Sequence, residues 1–193
     1  MKRNRLEAFS DGVLAIIITI MVLEFKIPEE ASLDALSTLL PKFFSYILSF
    51  IYIGIYWNNH HHMMFTIEQI NGKILWANLH LLFWLSLIPF ATAWVGESYF
   101  ASIPVMFYGI ILFMSGTAYN ILQVQIIKFS GKNSTLSKAI GKAYKEKIGT
   151  FLYIIAIGLS YFTPKISILL YIIVAMMWWI PDKRIENIFV DQK

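Results

Sequence analysis

Six stretches of this chain are long and apolar enough to cross a lipid bilayer as helices, and that constrains everything else it can be. A hydrocarbon core about 30 Å thick needs roughly 20 mostly apolar residues per helical crossing. Such stretches cover about Leu6–Phe25, Phe43–His60, Ile74–Trp94, Ile103–Ile127, Lys147–Phe162 and Ile166–Ile180. None alternates polar and apolar residues with period two, which argues against a β-barrel. Helices satisfy their own backbone hydrogen bonds, as hydrocarbon demands. Only 15% of the residues are charged and 58% are hydrophobic, whereas a soluble domain carries roughly 25% charge. The expected fold is all-α, one polytopic membrane domain over residues 1–193 with six transmembrane helices.

The breaks between stretches have local causes. Pro28 and Pro41 bracket the first connection, which has room for a short surface helix; Asn71-Gly72 separates the second and third stretches. Gly96-Glu97-Ser98 and Thr163-Pro164-Lys165 make tight turns, and a lysine-rich polar loop runs from Lys128 to Lys145. Pro89 lies inside the third stretch and removes a backbone donor, so a kink is expected there. The basic start, Met1-Lys2-Arg3-Asn4-Arg5, has the look of a signal peptide. No small-residue cleavage site follows, and the apolar run carries Asp11 and extends to Phe25, so a retained first span is expected.

Charge placement sets topology. With the N-terminus inside, all but Lys26, Lys42 and Lys165 of the 16 basic residues fall on cytoplasmic segments, as positive-inside bias requires. An even number of spans puts both termini in the cytoplasm of a cell (plasma) membrane protein. The net charge of +4 thus reads as topology, with the inner loop also touching anionic lipid, rather than as a nucleic-acid surface. Tyr56-Trp57, Trp94, Tyr99 and Trp178-Trp179 stand at span ends, where aromatic belts form. There are no cysteines, which excludes disulfides, thiolate metal sites and cysteine nucleophiles.

The first span carries the unusual chemistry. An ionisable Asp11 near the start of a membrane helix needs a partner or water. Ile16, Thr19, Ile20 and Leu23 fall within about 100° of one another on a helical projection, and Asp11 lies about 140° from Ile16. One face could line a narrow apolar path while the other ties the helix to its neighbours. Ordinary bundle packing accounts for the same stripe.

Arg5-x-x-x-Phe9-Ser10-Asp11, followed by Gly12 and a β-branched run to Glu24, resembles the signature of the transmembrane protein 175 potassium channel family. The resemblance continues in Tyr56-Trp57-Asn58-Asn59-His60-His61, Leu75-Trp76-Ala77-Asn78 and Pro89-Phe90-Ala91-Thr92-Ala93-Trp94. It implies six-helix subunits assembled as a homotetramer, with the first helix lining a central pore for potassium and other monovalent cations. It implies a constriction at Ile16 with Ile20 and Leu23 above it, and a selectivity candidate in the Thr19 hydroxyl ring. A ring of isoleucines can gate by dewetting, and hydroxyls replace part of an ion's hydration shell. Arg5, Phe9, Ser10, Asp11, Trp57, His60, His61 and Asn78 form the implied anchoring network of helix 1, with His80 a further candidate partner. The third histidine of His60-His61-His62 leaves open which ring meets Asp11.

Other readings of these residues stand beside it. Direct ion binding is the alternative role for Asp11. Three adjacent histidines point about 100° apart and make a poor tetrahedral metal site, so no metal and no cofactor are expected. The same histidines could confer pH sensitivity. Glu24, Glu29, Glu30 and Asp34 leave the outer end of the first span acidic, which would concentrate cations, although an ordinary solvated loop has the same composition. The alternative function is a proton-coupled secondary transporter with Asp11 and His60-His62 as a relay, but the internal repeats and interrupted helices of such proteins are not evident. No nucleophile and base pair off, so no enzymatic activity is expected.

Overall fold

The computed structural model describes residues 2–28, 30–131, 134, 136 and 144–179. Every regular element among them is a helix: α1 Asn4–Leu23, α2 Leu33–Ser37, α3 Leu40–Phe65, α4 Gly72–Ser86, α5 Ile88–Glu97, α6 Ser102–Ser130, α7 Tyr144–Ser160 and α8 Pro164–Trp179. Four stretches are long and apolar enough to cross a membrane: Asn4–Leu23, Leu40–Phe65, Gly72–Glu97 and Ser102–Ser130. The chain is thus an all-helical membrane protein. Most of the lysine-rich loop expected on the inner side, Ile180 at the end of the sixth stretch, and the C-terminal Lys183, Arg184 and Lys193 lie outside the described residues.

The helix ends follow from identifiable residues. Asn71 caps α4 by accepting the Ile74 amide at 3.0 Å, and Ser32 caps the short surface helix α2 by accepting the Ala35 amide at 3.1 Å. Pro89 breaks the third stretch into α4 and α5. With no proton on its nitrogen, the ladder tightens one turn early, and the Leu87 amide donates to the Trp84 carbonyl at 3.2 Å. Pro89 then sits in the first turn of α5, where a missing donor is tolerated.

The α5–α6 turn is tight. Tyr99 and Phe100 both adopt positive φ, 53° and 61°, a strained pair for bulky residues. Gly96 lets α5 approach α3 closely, since a Cβ there would stand 2.7 Å from the Lys42 Cα. That approach brings the Lys42 ammonium to 3.1 Å from Glu97 and lets the Ser45 hydroxyl donate to the Thr92 carbonyl at 3.1 Å.

Helix α1 packs on α3, α4 and α5 at one side of the bundle; α6 lies against α4, and α7 and α8 pack on α6 and on each other. The core between them is aliphatic, with Ile53, Ile74, Ile88, Val105, Leu112 and Leu122 fully enclosed. Polar side chains inside it bond to one another, as a dry interior requires. Thr92 donates to Ser49 at 2.7 Å, Ser49 shares a proton with Tyr108 at 2.9 Å, and Tyr52 donates to the Tyr171 carbonyl at 2.6 Å. This hydroxyl ladder clamps α3 to α5, α6 and α8.

Candidate functional site: the two faces of α1

Spacings of four, four, three and four residues place Leu6, Ser10, Leu14, Ile17 and Met21 on one face of α1, and all five are buried. The opposite stripe is left uncovered within the subunit. Ile16 is 59% exposed, Ile20 41% and Leu23 80%, against 2% for Leu14 and 3% for Ile17. Thr19 is also exposed on this stripe, and its hydroxyl donates back to the Ile16 carbonyl at 2.9 Å. One acceptor lone pair of that oxygen is thereby oriented away from the helix backbone. Beside the stripe runs a groove between α1 and α5, walled by Val13, Ile20, Phe90 and Ala93.

At the N-terminal end of α1 two separate sets of bonds hold the helix. The first is buried. Ser10 donates to the Leu6 carbonyl at 2.9 Å, so its oxygen is free to accept from the Asn78 amide nitrogen, also at 2.9 Å. The Asn78 amide oxygen therefore faces His60, whose Nε2 lies 2.8 Å away. That polarity requires the proton to sit on Nε2. His60 Nδ1 is left buried without a hydrogen-bond partner among the described residues.

The second set is at the edge. The Trp57 indole donates to Asp11 Oδ1 at 3.1 Å. His61 Nδ1 lies 2.9 Å from Glu7 Oε1, and the Trp57 and His61 rings stack with centroids 6.2 Å apart. Asp11 thus takes the tryptophan, Glu7 takes His61, and Asn78 takes His60. Phe9 and Arg5 project outward, and Arg5 makes no hydrogen bond or ion pair among the described residues. His80 accepts from the Trp84 indole at 3.0 Å on its own helix. No group of three or more His, Asp or Glu side chains able to hold a metal ion converges among the described residues.

Sequence reasoning missed Arg3 and Glu7. The Arg3 guanidinium donates to the carbonyls of Met64, Phe65 and Ile67 at 3.2, 2.9 and 3.1 Å, satisfying the open end of α3 where a cation is favoured. It also lies over the Phe65 ring, 4.6 Å from the centroid, and 4.0 Å from Glu7. The signal was available: positions 3, 7, 10 and 14 follow the same three-and-four spacing as the buried face, and Arg5 does not.

These features define a helical membrane protein whose first helix buries one face and leaves an aliphatic, hydroxyl-bearing stripe open to lipid or to further copies. The comparisons with known proteins make that class specific. The sequence model described as Endosomal/lysosomal potassium channel TMEM175 matches residues 5–89. A protein of Chryseobacterium sp. (strain P1-3) named a potassium channel is 59% identical over 187 residues, covering 97% of each chain. The crystal structure of a lysosomal potassium-selective channel TMEM175 homolog from Chamaesiphon minutus superposes with a TM-score of 0.80 at 28% identity, covering 91% of this chain and 95% of that one. A Gallus gallus protein named an endosomal/lysosomal proton channel, TMEM175, is 29% identical over 103 residues, 47% of this chain and 21% of its own length. This chain belongs to the TMEM175 potassium channel family.

Proposed function

We propose that this protein is a passive potassium channel, formed by four copies whose α1 helices surround a shared axis. The observation that carries the reading is the unpartnered stripe of α1. Ile16, Ile20 and Leu23 are uncovered, together with Phe9, Ala15, Thr19 and Val22, while Leu6, Ser10, Leu14, Ile17 and Met21 face the three neighbouring helices. Ile16 is the narrowest ring, held shut by dewetting, with Ile20 and Leu23 above it. Thr19, one turn away, offers four hydroxyl oxygens whose lone pairs replace water around a dehydrated cation. The α1–α5 groove takes the α1 helix of the adjacent copy.

Helices α7 and α8 complete six crossings. Their 17 and 16 residues extend about 25 Å each at 1.5 Å per residue, close to the hydrocarbon thickness, and Thr163 turns between them. Six crossings place both termini in the cytoplasm of a plasma-membrane protein, with lipid as its outer solvent. Asp11, Ser10, Trp57, Asn78, His60 and His61 anchor the inner end of α1, assisted by Arg3 and Glu7 in the position assigned from the sequence to Arg5.

The test is potassium flux through purified protein in liposomes. Ile16→Asn is expected to wet the constriction, raising flux and admitting sodium. Unchanged flux and unchanged preference for potassium in that variant put the constriction elsewhere.

A further inference from the structure

Away from α1, a cavity lies among four other helices of the subunit. Its walls come from α3, α6, α7 and α8 and include the rings of Tyr56, Tyr153 and Trp178. The space open to the centres of water-sized spheres is about 50 Å³, room for about four such spheres by the volume a single water needs. Three polar groups in its lining have no hydrogen-bond partner among the described residues. The Tyr56 side chain is only 9% exposed, yet its hydroxyl makes no hydrogen bond among the described residues. The same holds for the side chains of Asn120 and Glu146, both half-buried in the lining. The remaining hydroxyls nearby are engaged, Tyr153 with Tyr52 at 3.3 Å and Tyr119 with the Asn59 carbonyl at 3.2 Å.

Tyr56 is nearly buried and Asn120 and Glu146 are half-buried, so these converging polar groups take their hydrogen bonds from whatever fills the cavity, water or a ligand that pairs with them better. The donor set defines that occupant. A carboxylate, an amide and a phenol oxygen offer acceptors for a primary ammonium, and aromatic faces attract its charge while packing its carbon stem. Gly116 keeps the space open: a Cβ there would lie 3.7 Å from the Tyr56 hydroxyl and 4.0 Å from the Tyr153 ring, ordinary contacts that a larger side chain exceeds by filling the cavity.

We infer that this cavity binds a primary ammonium group on a short carbon stem, with Glu146 as counter-ion and Tyr56 and Asn120 as further acceptors. The ammonium belongs either to a free amine or to an ethanolamine lipid headgroup. No residue of α1 lines the cavity, so binding does not depend on the pore reading.

The experiment is thermal unfolding and calorimetric titration of the full-length protein in detergent, with propylammonium as probe and 1-propanol as its neutral counterpart. A ligand of the folded state raises the transition. Propylammonium is expected to do so and propanol is not. Glu146→Gln is expected to weaken the dissociation constant about tenfold or more, the scale of one charge-assisted hydrogen bond, and Gly116→Val is expected to abolish binding. If Gly116→Val does not fold, Tyr56→Phe together with Glu146→Gln decides the matter. Absent binding to the native protein at millimolar amine, equal binding of propanol, or undiminished affinity in the variants overturns the inference. In nanodiscs, weaker amine binding with phosphatidylethanolamine than with phosphatidylcholine alone assigns the site to the lipid headgroup; equal binding assigns it to a free amine.

Discussion

Asn78 ties the N-terminal end of α1 through a buried link, whereas Asp11 meets Trp57 at the edge of the bundle. Asn78 is fully buried and bridges Ser10 on α1 to His60 on α3. Asn78→Ala strands the Ser10 oxygen and His60 Nε2 in a dry core, at an expected loss of about 1 kcal/mol, two interhelical bonds at roughly 0.6 kcal/mol each. Trp84→Phe, which breaks a half-buried bond to His80 on the same helix, is expected to lose less than half as much. Denaturant titration of the detergent-solubilised protein ranks the two, and equal losses would show that the Asn78 bridge adds nothing beyond a typical side-chain contact. The sequence made Asp11 conspicuous because a carboxylate in an apolar run stands out. The neutral residues that carry the buried link do not stand out, since Ser and Asn are common in membrane helices. Arg3 escaped notice for a different reason. It precedes the first helical turn, and its role is visible only once the carbonyls at the end of α3 are brought beside it.

The sequence punctuated the helices well, because the residues that stop them act locally. Asn71, Gly96 and Pro164 mark ends or starts, and Pro89 marks the break between α4 and α5, all within two residues of where the structure puts them. What periodicity could not supply is which helix meets which. Ser45, Ser49, Tyr52 and Tyr56 recur at spacings of four, three and four on α3, a polar seam inside an apolar helix. Its meaning depends on Thr92, Tyr108, Tyr153 and Tyr171 arriving from four other segments. The closest of these contacts depends on Gly109 in α6, where a Cβ would overlap the Tyr171 hydroxyl. Gly109→Ala therefore has to push α8 away from α6 and stretch the bond from Tyr171 to the Val105 carbonyl, 3.3 Å in the native protein. The expected destabilisation is about 1–3 kcal/mol, as for overpacked cores. Gly158→Ala is the control: it lies in the last turn of α7 with nothing within 4 Å of its added Cβ, so the better helix propensity of alanine leaves stability unchanged or slightly raised. Melting temperatures of the two variants should move in opposite directions or differ clearly; a Gly109→Ala protein as stable as native would mean that the α6–α8 contact yields without loss.

At the scale of the whole molecule, the question is whether the uncovered stripe of α1 meets other copies of itself or meets lipid, because a branched aliphatic side chain is content with either. The two cases differ in symmetry, not in hydrophobicity. Residues on a shared axis are brought to one point four times over, whereas lipid-facing residues of separate copies stay far apart. The absence of native cysteine lets that difference be read chemically, since thiolates bind soft metal ions far better than imidazole or carboxylate groups do. Ile16→Cys places one thiol per chain on the stripe, and Ile17→Cys places one on the packed face, where the native side chain is 3% exposed. With four chains around an axis, Ile16→Cys is expected to bind one cadmium ion per four chains and to lose potassium flux when cadmium is added. The Ile17→Cys and native proteins keep their flux and bind no stoichiometric cadmium. Because elemental analysis counts metal per chain without requiring conduction, it separates a silent channel from a missing axis. A ratio near zero for Ile16→Cys would leave its thiols isolated in lipid and remove the central pore, while one ion per two chains would replace four-fold by two-fold assembly.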